Sequence, residues 1–274
     1  MKIFVDTANL EEIREAYSWG IVNGVTTNPS LIYKASKKYK VPDMIKYLKE
    51  LFEVIGKEDP VSLEVISKTQ GKMYDEAMRL YDTFNGEGNV VIKIPVNPST
   101  DESDNLDFDG LKCIYKLNKN GVKTNATLIF TPEQAMLSAK AGANYVSPFA
   151  GRVDDKLRKK AKQKFEKGDY FPAGGIFEEK GELIHDDGIV SGADLVKKIM
   201  TTFSRYPDLK SEVIAASMRN PRQVREVAET GVHIATIPFP VLKKMLFHDK
   251  TVEGMIKFSE DADKVPEYKK IFIS

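Results

Sequence analysis

NVVIKI, at residues 89–94, is a run of apolar, mostly β-branched residues that contains a single lysine. The segments on either side, GKMYDEAMRLYDTF at 71–84 and FDGLKCIYKLNKN at 108–120, have the periodicity of amphipathic helices. An apolar strand between two such helices is typical of a parallel sheet whose two faces are both buried. The stretch therefore predicts an α/β fold in which strands and helices alternate along the chain.

Seven more short runs of this kind are distributed over the 274 residues, which gives eight candidate strands in all. Eight alternating units can close into a barrel, and an open doubly wound sheet is the alternative. No GxGxxG follows the first strand and no P-loop motif occurs, so the phosphate-binding signals common in open sheets are missing. We therefore predict a single-domain (β/α)8 TIM barrel over residues 1–274, with a C-terminal helix. The other seven runs are KIFVD at 2–6, GVTT at 24–27, VSLEV at 61–65, VKTNATLIF at 122–130, ANYVS at 143–147, EVIAAS at 212–217 and VHIATI at 232–237.

The composition excludes several classes of protein. With 42% hydrophobic residues the chain can bury one large core, and 41 basic against 40 acidic residues give no global field for nucleic acid or an anionic membrane. No window approaches the ~18 apolar residues of a membrane span and no leader is visible, so we expect a cytoplasmic protein. Cys113 lies on an apolar helix face and is expected to be a core thiol. The three histidines are far apart, so no metal site is predicted.

Two stretches interrupt the alternation of strands and helices. Residues 97–110 form an acidic, turn-rich loop after the fourth strand, and an insertion covers about 156–184. The insertion opens with KLRKKAKQKFEK at 156–167, which is either a polyanion-binding patch or a solvated helix, and the lack of interleaved aromatics favours the helix. The rest is rich in Pro and Gly, which indicates a loop or a short hairpin. By contrast, Thr131 followed by Pro132 and Glu133 marks a clear helix start.

Lys93 is the residue that points to chemistry, because an ammonium inside an apolar strand is costly. One interpretation is a surface lysine on an edge strand, or one half of a buried ion pair. The other is an amine that an apolar pocket keeps uncharged, with a free lone pair that can attack a carbonyl. The remaining strand ends decide between these interpretations.

Almost every predicted strand ends in a polar residue, and in a barrel these ends converge on one mouth. Schiff-base chemistry needs proton transfers, and Asp6 and Glu64 are the two carboxylates at these ends. Arg152, Ser217 and Arg219 can clamp a phosphate, with backbone donors from the helix that opens at Asn220 and Pro221. The substrate implied is a phosphorylated keto sugar. The strand-end residues are Asp6, Thr26, Asn28, Glu64, Lys93, Asn125, Thr127, Ser147, Ser217 and Arg219.

The sequence resembles the transaldolase family, in particular the short branch that also contains fructose-6-phosphate aldolases. The motifs occur in order along nearly the whole chain. They are FVDTA at 4–8, GVTTNPSL at 24–31, SLEV at 62–65, IKIP at 92–95, GVKTNATLIF at 121–130, AGANYVSPFAGRVDD at 141–155, AASMRNP at 215–221 and GVHIATIP at 231–238.

The resemblance implies a role for each matching residue. Lys93 is the Schiff-base lysine, Asp6 is the acid and base, and Glu64 handles the catalytic water with Thr127. Fructose-6-phosphate aldolases have glutamine and tyrosine where this chain has Glu64 and Phe149, so it resembles the transaldolases at both positions. The substrate-binding set is Thr26, Asn28, Asn125, Ser147 and Phe149 for the sugar, and Arg152, Ser217 and Arg219 for the phosphate.

The resemblance also implies the reaction, which belongs to the pentose phosphate pathway. A dihydroxyacetone unit passes from sedoheptulose 7-phosphate or fructose 6-phosphate to an aldose phosphate through an imine on Lys93. The imine is itself the electron sink, so no cofactor is expected. One alternative is an aldolase that releases dihydroxyacetone, and another is a non-catalytic sugar-phosphate-binding protein. The loop at 97–110 and the insertion at 156–184 leave substrate length and assembly open, and a homo-oligomer is compatible with the resemblance.

Overall fold

The computed structural model describes residues 1–101, 103–178 and 180–272 of the chain. Within these residues eight parallel strands form a closed barrel in chain order, with the last strand paired to the first. The predicted (β/α)8 fold is thus confirmed. The predicted domain also includes Glu102, Glu179, Ile273 and Ser274, which lie outside the described residues. The strands are β1 Lys2–Asp6, β2 Val25–Thr26, β3 Pro60–Glu64, β4 Asn89–Pro95, β5 Thr124–Ile129, β6 Tyr145–Pro148, β7 Glu212–Ala215 and β8 Ile234–Ile237.

Helices connect the strands and surround the barrel. The predicted start at Thr131 is a complete capping box, in which the Thr131 side chain accepts from Gln134 N and the Gln134 side chain accepts from Thr131 N. The helices are α1 Leu10–Ser18, α2 Pro29–Tyr39, α3 Met44–Ile55, α4 Gln70–Phe84, α5 Asp109–Lys119, α6 Pro132–Lys140, α7 Ala150–Lys160, α8 Gly192–Arg205, α9 Pro221–Glu229, α10 Phe239–Lys244, α11 Asp249–Asp263 and α12 Pro266–Lys269, before a 3-10 turn at Lys270–Phe272.

The core lies between the strands and the helices. Alternate residues of each strand, such as Val5, Val61 and Ile92, belong to one large apolar cluster with the buried faces of the helices. Cys113 of α5 is fully buried in this cluster, as the sequence predicts. Burying one large apolar side chain, such as a valine or an isoleucine, stabilises the fold by roughly 1.5–3 kcal/mol, so this cluster is the main source of stability.

The other alternate residues point into the barrel. Toward the amino ends of the strands, which form the lower end of the barrel, Phe4, Ile214 and Ile234 pack together and fill the interior. Gly24 makes room for them, because a Cβ atom there would lie 2.8 Å from the Phe4 ring. At the upper end the same alternation directs polar residues into the barrel, since Asp6 follows Phe4 by two positions and Thr236 follows Ile234 by two.

The basic run at 156–167 is not a single solvated helix, and that prediction is wrong. Helix α7 ends at Lys160, and Arg158 is buried with its guanidinium over the rings of Phe165 and Phe171, 5.0 and 5.2 Å from their centroids. Because the two aromatic rings lie beyond the helix, the chain folds back over the arginine. A short hairpin follows, as predicted, with antiparallel bridges that include Phe177 to Leu183.

The C-terminal segment has few contacts with the barrel. Helix α11 contains no buried residue, and exposed apolar side chains continue to the last described residues. Over the described part of the chain, no helix is long and apolar enough to cross a membrane. The exposed apolar side chains of this segment are Met245, Leu246, Phe247, Val252, Met255, Ile256, Phe258, Val265, Tyr268, Ile271 and Phe272.

Candidate active site

A cavity of about 450 Å³ opens at the carboxyl ends of the strands. Nine of the twelve predicted site residues line this cavity, and the other three are Glu64, Asn125 and Thr127. The strand ends therefore converge as the barrel geometry requires. The nine are Asp6, Thr26, Asn28, Lys93, Ser147, Phe149, Arg152, Ser217 and Arg219.

Lys93 lies at the bottom of the cavity with a side chain that is only 4% exposed. Its Nζ donates to the carbonyl oxygen of Thr27 at 2.9 Å and lies 3.0 Å from Oε2 of Glu64. Lys93 is thus one half of a buried ion pair, and the picture of a purely apolar pocket is wrong. The pairing follows from the sheet register, because the Cα atoms of Glu64 and Lys93 face each other across β3 and β4.

Asp6 carries the second carboxylate, and a short chain of hydroxyls holds it in place. Thr26 Oγ1 donates to Asp6 Oδ1 at 2.7 Å and lies 2.6 Å from Oγ1 of Thr236. Because Thr26 has one hydroxyl proton, Thr236 donates to Thr26. Burial raises the pKa of Asp6, which the charge of Lys93 and the bond from Thr26 partly oppose. A carboxyl group whose pKa is raised in this way can serve both as a base and as an acid in proton transfer.

Asn125 and Thr127 lie beneath the cavity surface on β5, and both are completely buried. Asn125 accepts from Ser147 Oγ at 2.7 Å and its amide donates to Ser62 Oγ at 3.4 Å, so it orients the serine that faces the cavity. Thr127 Oγ1 has no hydrogen-bond partner among the described residues. Buried hydroxyls without a partner are uncommon, and this one is available to a substrate atom or a water molecule.

Asn28 has two roles that its side chain can combine. Its Oδ1 caps helix α2 by accepting from Leu31 N at 3.1 Å, as a turn residue at this position would. Its side chain also lines the cavity, where the amide nitrogen can still donate. Phe149 forms another part of the wall and packs against Phe130, with ring centroids 6.0 Å apart and the ring planes tilted by 59°.

The predicted phosphate clamp of Arg152, Ser217 and Arg219 lines the same cavity as Lys93. Arg219 Nη2 donates to Asp155 Oδ2 at 2.7 Å, while its buried Nη1 has no partner within the described structure. The Arg152 guanidinium lies over the Phe149 ring, 5.2 Å from its centroid. Gly151 keeps these parts close, since a Cβ atom there would lie 2.1 Å from Ser217 O and 2.3 Å from Arg219 Nε.

The expected backbone donors from helix α9 are mostly absent from this clamp. Gln223 N donates to the Asn220 side chain at 2.9 Å, Val224 N donates to Asn220 O at 3.3 Å, and Pro221 has no N–H group. Arg219 N is also used, in a bond to Gln223 Oε1 at 2.8 Å. The prediction is therefore wrong for these groups, because the cap satisfies them internally. The clamp depends on side chains instead.

Sequence reasoning missed four polar residues that line the cavity, Ser30, Lys34, Lys167 and Thr236. Thr236 could have been found, because it is a polar residue at the end of an apolar strand like the others. Lys34 follows β2 on helix α2, and Lys167 lies in the insertion after α7. No local pattern distinguishes these two lysines from the many surface lysines of the chain.

Comparison with known proteins identifies the family. The family model described as transaldolase/fructose-6-phosphate aldolase matches residues 3–272. A protein named probable transaldolase from Caldicellulosiruptor saccharolyticus is 42% identical over 267 residues, which cover 97% of this chain and 99% of that protein. Proteins of the same name from a Thermoanaerobacter species and from Thermoplasma volcanium are each 40% identical, and the matches cover 95% and 97% of this chain and 96% of each relative.

These matches confirm the predicted class of enzyme, a transaldolase that acts on sugar phosphates through a lysine imine, and they favour neither of the two alternatives. The match over almost the whole length means that this chain belongs to the transaldolase/fructose-6-phosphate aldolase family.

Proposed function

We propose that this enzyme transfers a dihydroxyacetone unit from a ketose phosphate, such as fructose 6-phosphate or sedoheptulose 7-phosphate, to an aldose phosphate. Lys93 carries the unit as an imine and then as an enamine. The observation that carries this proposal is a buried lysine amine that pairs with a carboxylate and lines a cavity which two arginines also line. A sugar phosphate can reach from the amine to the arginines within one cavity.

In the first half of the reaction, Glu64 takes a proton from the Lys93 ammonium, and the neutral amine that results attacks the C2 carbonyl of the ketose. The carbinolamine then loses its hydroxyl group as water, with Glu64 returning a proton and Thr127 binding the water. The Glu64 carboxylate, 3.0 Å from the amine, is close enough for these transfers. Asn28 and Ser147 bind hydroxyls of the sugar from the cavity wall.

In the second half, Asp6 removes the proton of the C4 hydroxyl and the C3–C4 bond breaks. Its electron pair enters the iminium group to give an enamine on Lys93, and an aldose phosphate leaves. The enamine adds through its carbon to an acceptor aldehyde while Asp6 returns the proton. Hydrolysis of the new imine then frees the product and Lys93. The raised pKa of Asp6 favours both of its steps, as base and as acid.

The direct test is transfer of three carbons from fructose 6-phosphate to erythrose 4-phosphate, followed as sedoheptulose 7-phosphate formed. We expect turnover with the wild-type protein and none with Lys93→Ala. A coupled assay without acceptor separates the aldolase alternative, because free dihydroxyacetone would then accumulate at a comparable rate. Binding of fructose 6-phosphate without either reaction would favour the non-catalytic alternative.

We also propose that the protein forms a homo-oligomer in which the C-terminal segment 245–272 packs on a second copy. Val252, Met255 and Ile256 share one face of α11 and are about half exposed or more. Exposed apolar surface of this extent marks a protein contact. The same chain offers an apolar groove at the barrel mouth, whose lining includes the exposed Tyr33 and Ile66. Sedimentation of the wild type against Ile256→Glu should show an oligomer and its dissociation, and a wild-type monomer would contradict the proposal.

A location in the cytoplasm and the absence of a cofactor or metal are further parts of the proposal. The single cysteine, buried and without a disulfide partner in the described structure, is compatible with a reducing compartment. Activity that survives extensive treatment with a chelator would support the absence of a metal, because the imine needs no metal to accept electrons.

A further inference from the structure

Residues 166–169 form a tight turn in the insertion, and it is attached to the phosphate end of the cavity. Asp169 N donates to Glu166 O at 3.1 Å, and Glu166 N donates to the Asp169 side chain at 2.7 Å. The amide of Asn220, the residue after Arg219, donates to the carbonyls of Gly168 and Asp169, both at 3.3 Å. From the other side, the buried Arg158 donates to Asp169 O at 2.7 Å. The turn is therefore fixed relative to the clamp.

Lys167 lies in this turn and lines the same cavity as Lys93, Arg152 and Arg219. It also lines the adjoining surface cavity of about 460 Å³, again with Arg152 and Arg219. Among the described residues, neither Lys167 nor Arg152 forms an ion pair or a hydrogen bond through its side chain. Each has its charge available for a ligand.

The side chains around Lys167 carry more positive than negative charge, which favours the binding of an anion. Besides Lys93, four cationic side chains line the cavity, namely those of Lys34, Arg152, Lys167 and Arg219, and the carboxylate of Asp155 is already bonded to Arg219. Partial desolvation lowers the pKa of Lys167, and the charges of Arg219, Lys34 and Arg152 add to this shift while Asp155 opposes it. The residue remains exposed overall, so an anion can reach it from the cavity. A phosphate dianion would relieve the repulsion among these groups.

We propose that Lys167 binds the phosphate group of the substrate, so that the insertion at 156–184 selects phosphorylated sugars. The inference rests on the proposed function for the identity of the sugar. The two arginines offer planar, forked donors, and the lysine adds a compact ammonium from a different direction. The insertion thereby has a part in substrate recognition, besides any part in covering the mouth.

Calorimetric titration with glucitol 6-phosphate tests this inference without requiring turnover. This sugar alcohol has a phosphate but no carbonyl, so it cannot form an imine with Lys93. We expect Lys167→Ala to weaken binding about tenfold, since one charge-assisted contact in a partly exposed site is lost. Lys167→Arg should retain most of the affinity. Lys164→Ala is the matched control, because it removes an equal charge from the same insertion at an exposed residue that does not line the cavity.

The outcomes separate this inference from the proposed function. A Lys167→Ala protein that melts like the wild type and binds glucitol 6-phosphate equally well overturns the inference, whether or not the wild type transfers carbon units. Equal losses for Lys164→Ala and Lys167→Ala also overturn it, because they would show a general effect of charge. If only Lys167→Ala binds more weakly and the wild type has no transfer activity, the phosphate contact is supported and the proposed reaction is contradicted.

Discussion

Glu64 Oε2 lies 3.0 Å from Lys93 Nζ, and the two residues are opposite each other in the pairing of β3 with β4. Glu64 approaches the amine from the side of the apolar groove that it lines together with Thr27 and Ile66, while Lys93 lines the main cavity. The same ammonium donates to the Thr27 carbonyl oxygen. The amine therefore has one neighbour that can accept its proton and one that can only hold its orientation.

Replacing Glu64 by Gln should lower kcat for three-carbon transfer by about 10²-fold or more, because the group that exchanges protons with the amine is lost. KM for fructose 6-phosphate should change little, since Glu64 does not line the main cavity. Steady-state kinetics with erythrose 4-phosphate as acceptor measure both constants. A kcat within twofold of the wild type would show that Glu64 has no catalytic part.

Asp6→Asn should abolish most transfer activity and yet stabilise the fold as the pH rises. Burial raises the pKa of Asp6 above its unfolded value near 3.8, so its contribution to stability is complete below that value. The contribution is lost as the pH rises through the folded pKa. Because asparagine does not ionise, the variant should gain on the wild type in free energy of unfolding as the pH increases above about 4.

Urea titrations of both proteins over this pH range measure the difference in free energy of unfolding, and Asp109→Asn is the control of opposite sign. Asp109 accepts from Gln70 N, and this bond lowers its pKa, so its stabilising effect is present above the unfolded value and is lost as the pH falls. The Asn variant at 109 should therefore be less stable than the wild type at pH 7. An Asp6→Asn protein whose stability follows the wild type at every pH would contradict a buried, destabilised carboxylate.

Gly151→Ala should displace the residues of the phosphate clamp and leave the Lys93 amine in place. The new Cβ would overlap Ser217 O and the Arg219 side chain, so α7 or the segment after β7 must move. We expect KM for fructose 6-phosphate to rise about tenfold or more, with a loss of stability of about 1–3 kcal/mol from overpacking. Gly71→Ala in α4 is the matched control, because nothing lies within 4 Å of its Cβ position. It should leave the kinetics unchanged and add up to about 1 kcal/mol of stability.

Phe149→Tyr should increase the release of free dihydroxyacetone relative to transfer. Phe149 lines the cavity that contains Lys93, and a phenol at this position could protonate the enamine before an acceptor arrives. Dihydroxyacetone formed without acceptor, compared with transfer to erythrose 4-phosphate, gives the ratio. An unchanged ratio would mean that the Phe149 ring edge does not face the reacting carbon.

Much of this site could be predicted because β-strand alternation and barrel closure leave little freedom. Once NVVIKI is a barrel strand, Lys93 must lie at its carboxyl end, and the strand ends of Asp6, Ser147 and their neighbours must meet it. The ion pair between Lys93 and Glu64 was harder to predict from the sequence, since it depends on the register between β3 and β4. Apolar patterns fix which face a residue occupies, and they fix the partner across the sheet only weakly.

The insertion shows where sequence reasoning reaches its limit. The run at 156–167 has the charge pattern of a solvated surface, yet Arg158 is buried beneath aromatic residues and Lys167 lines the cavity. Both placements result from contacts between residues far apart along the chain, such as Asn220 with Gly168. A charge pattern contains no information on such contacts.

Borohydride trapping tests the central claim most directly, because the cavity presents three lysines that could compete, Lys34, Lys93 and Lys167. The protein is incubated with fructose 6-phosphate, reduced with sodium borohydride, digested and analysed by mass spectrometry. We expect a reduced three-carbon adduct on Lys93 alone, with loss of activity in proportion to labelling. An adduct on Lys34 or Lys167 in place of Lys93, or no adduct at all, would contradict the account.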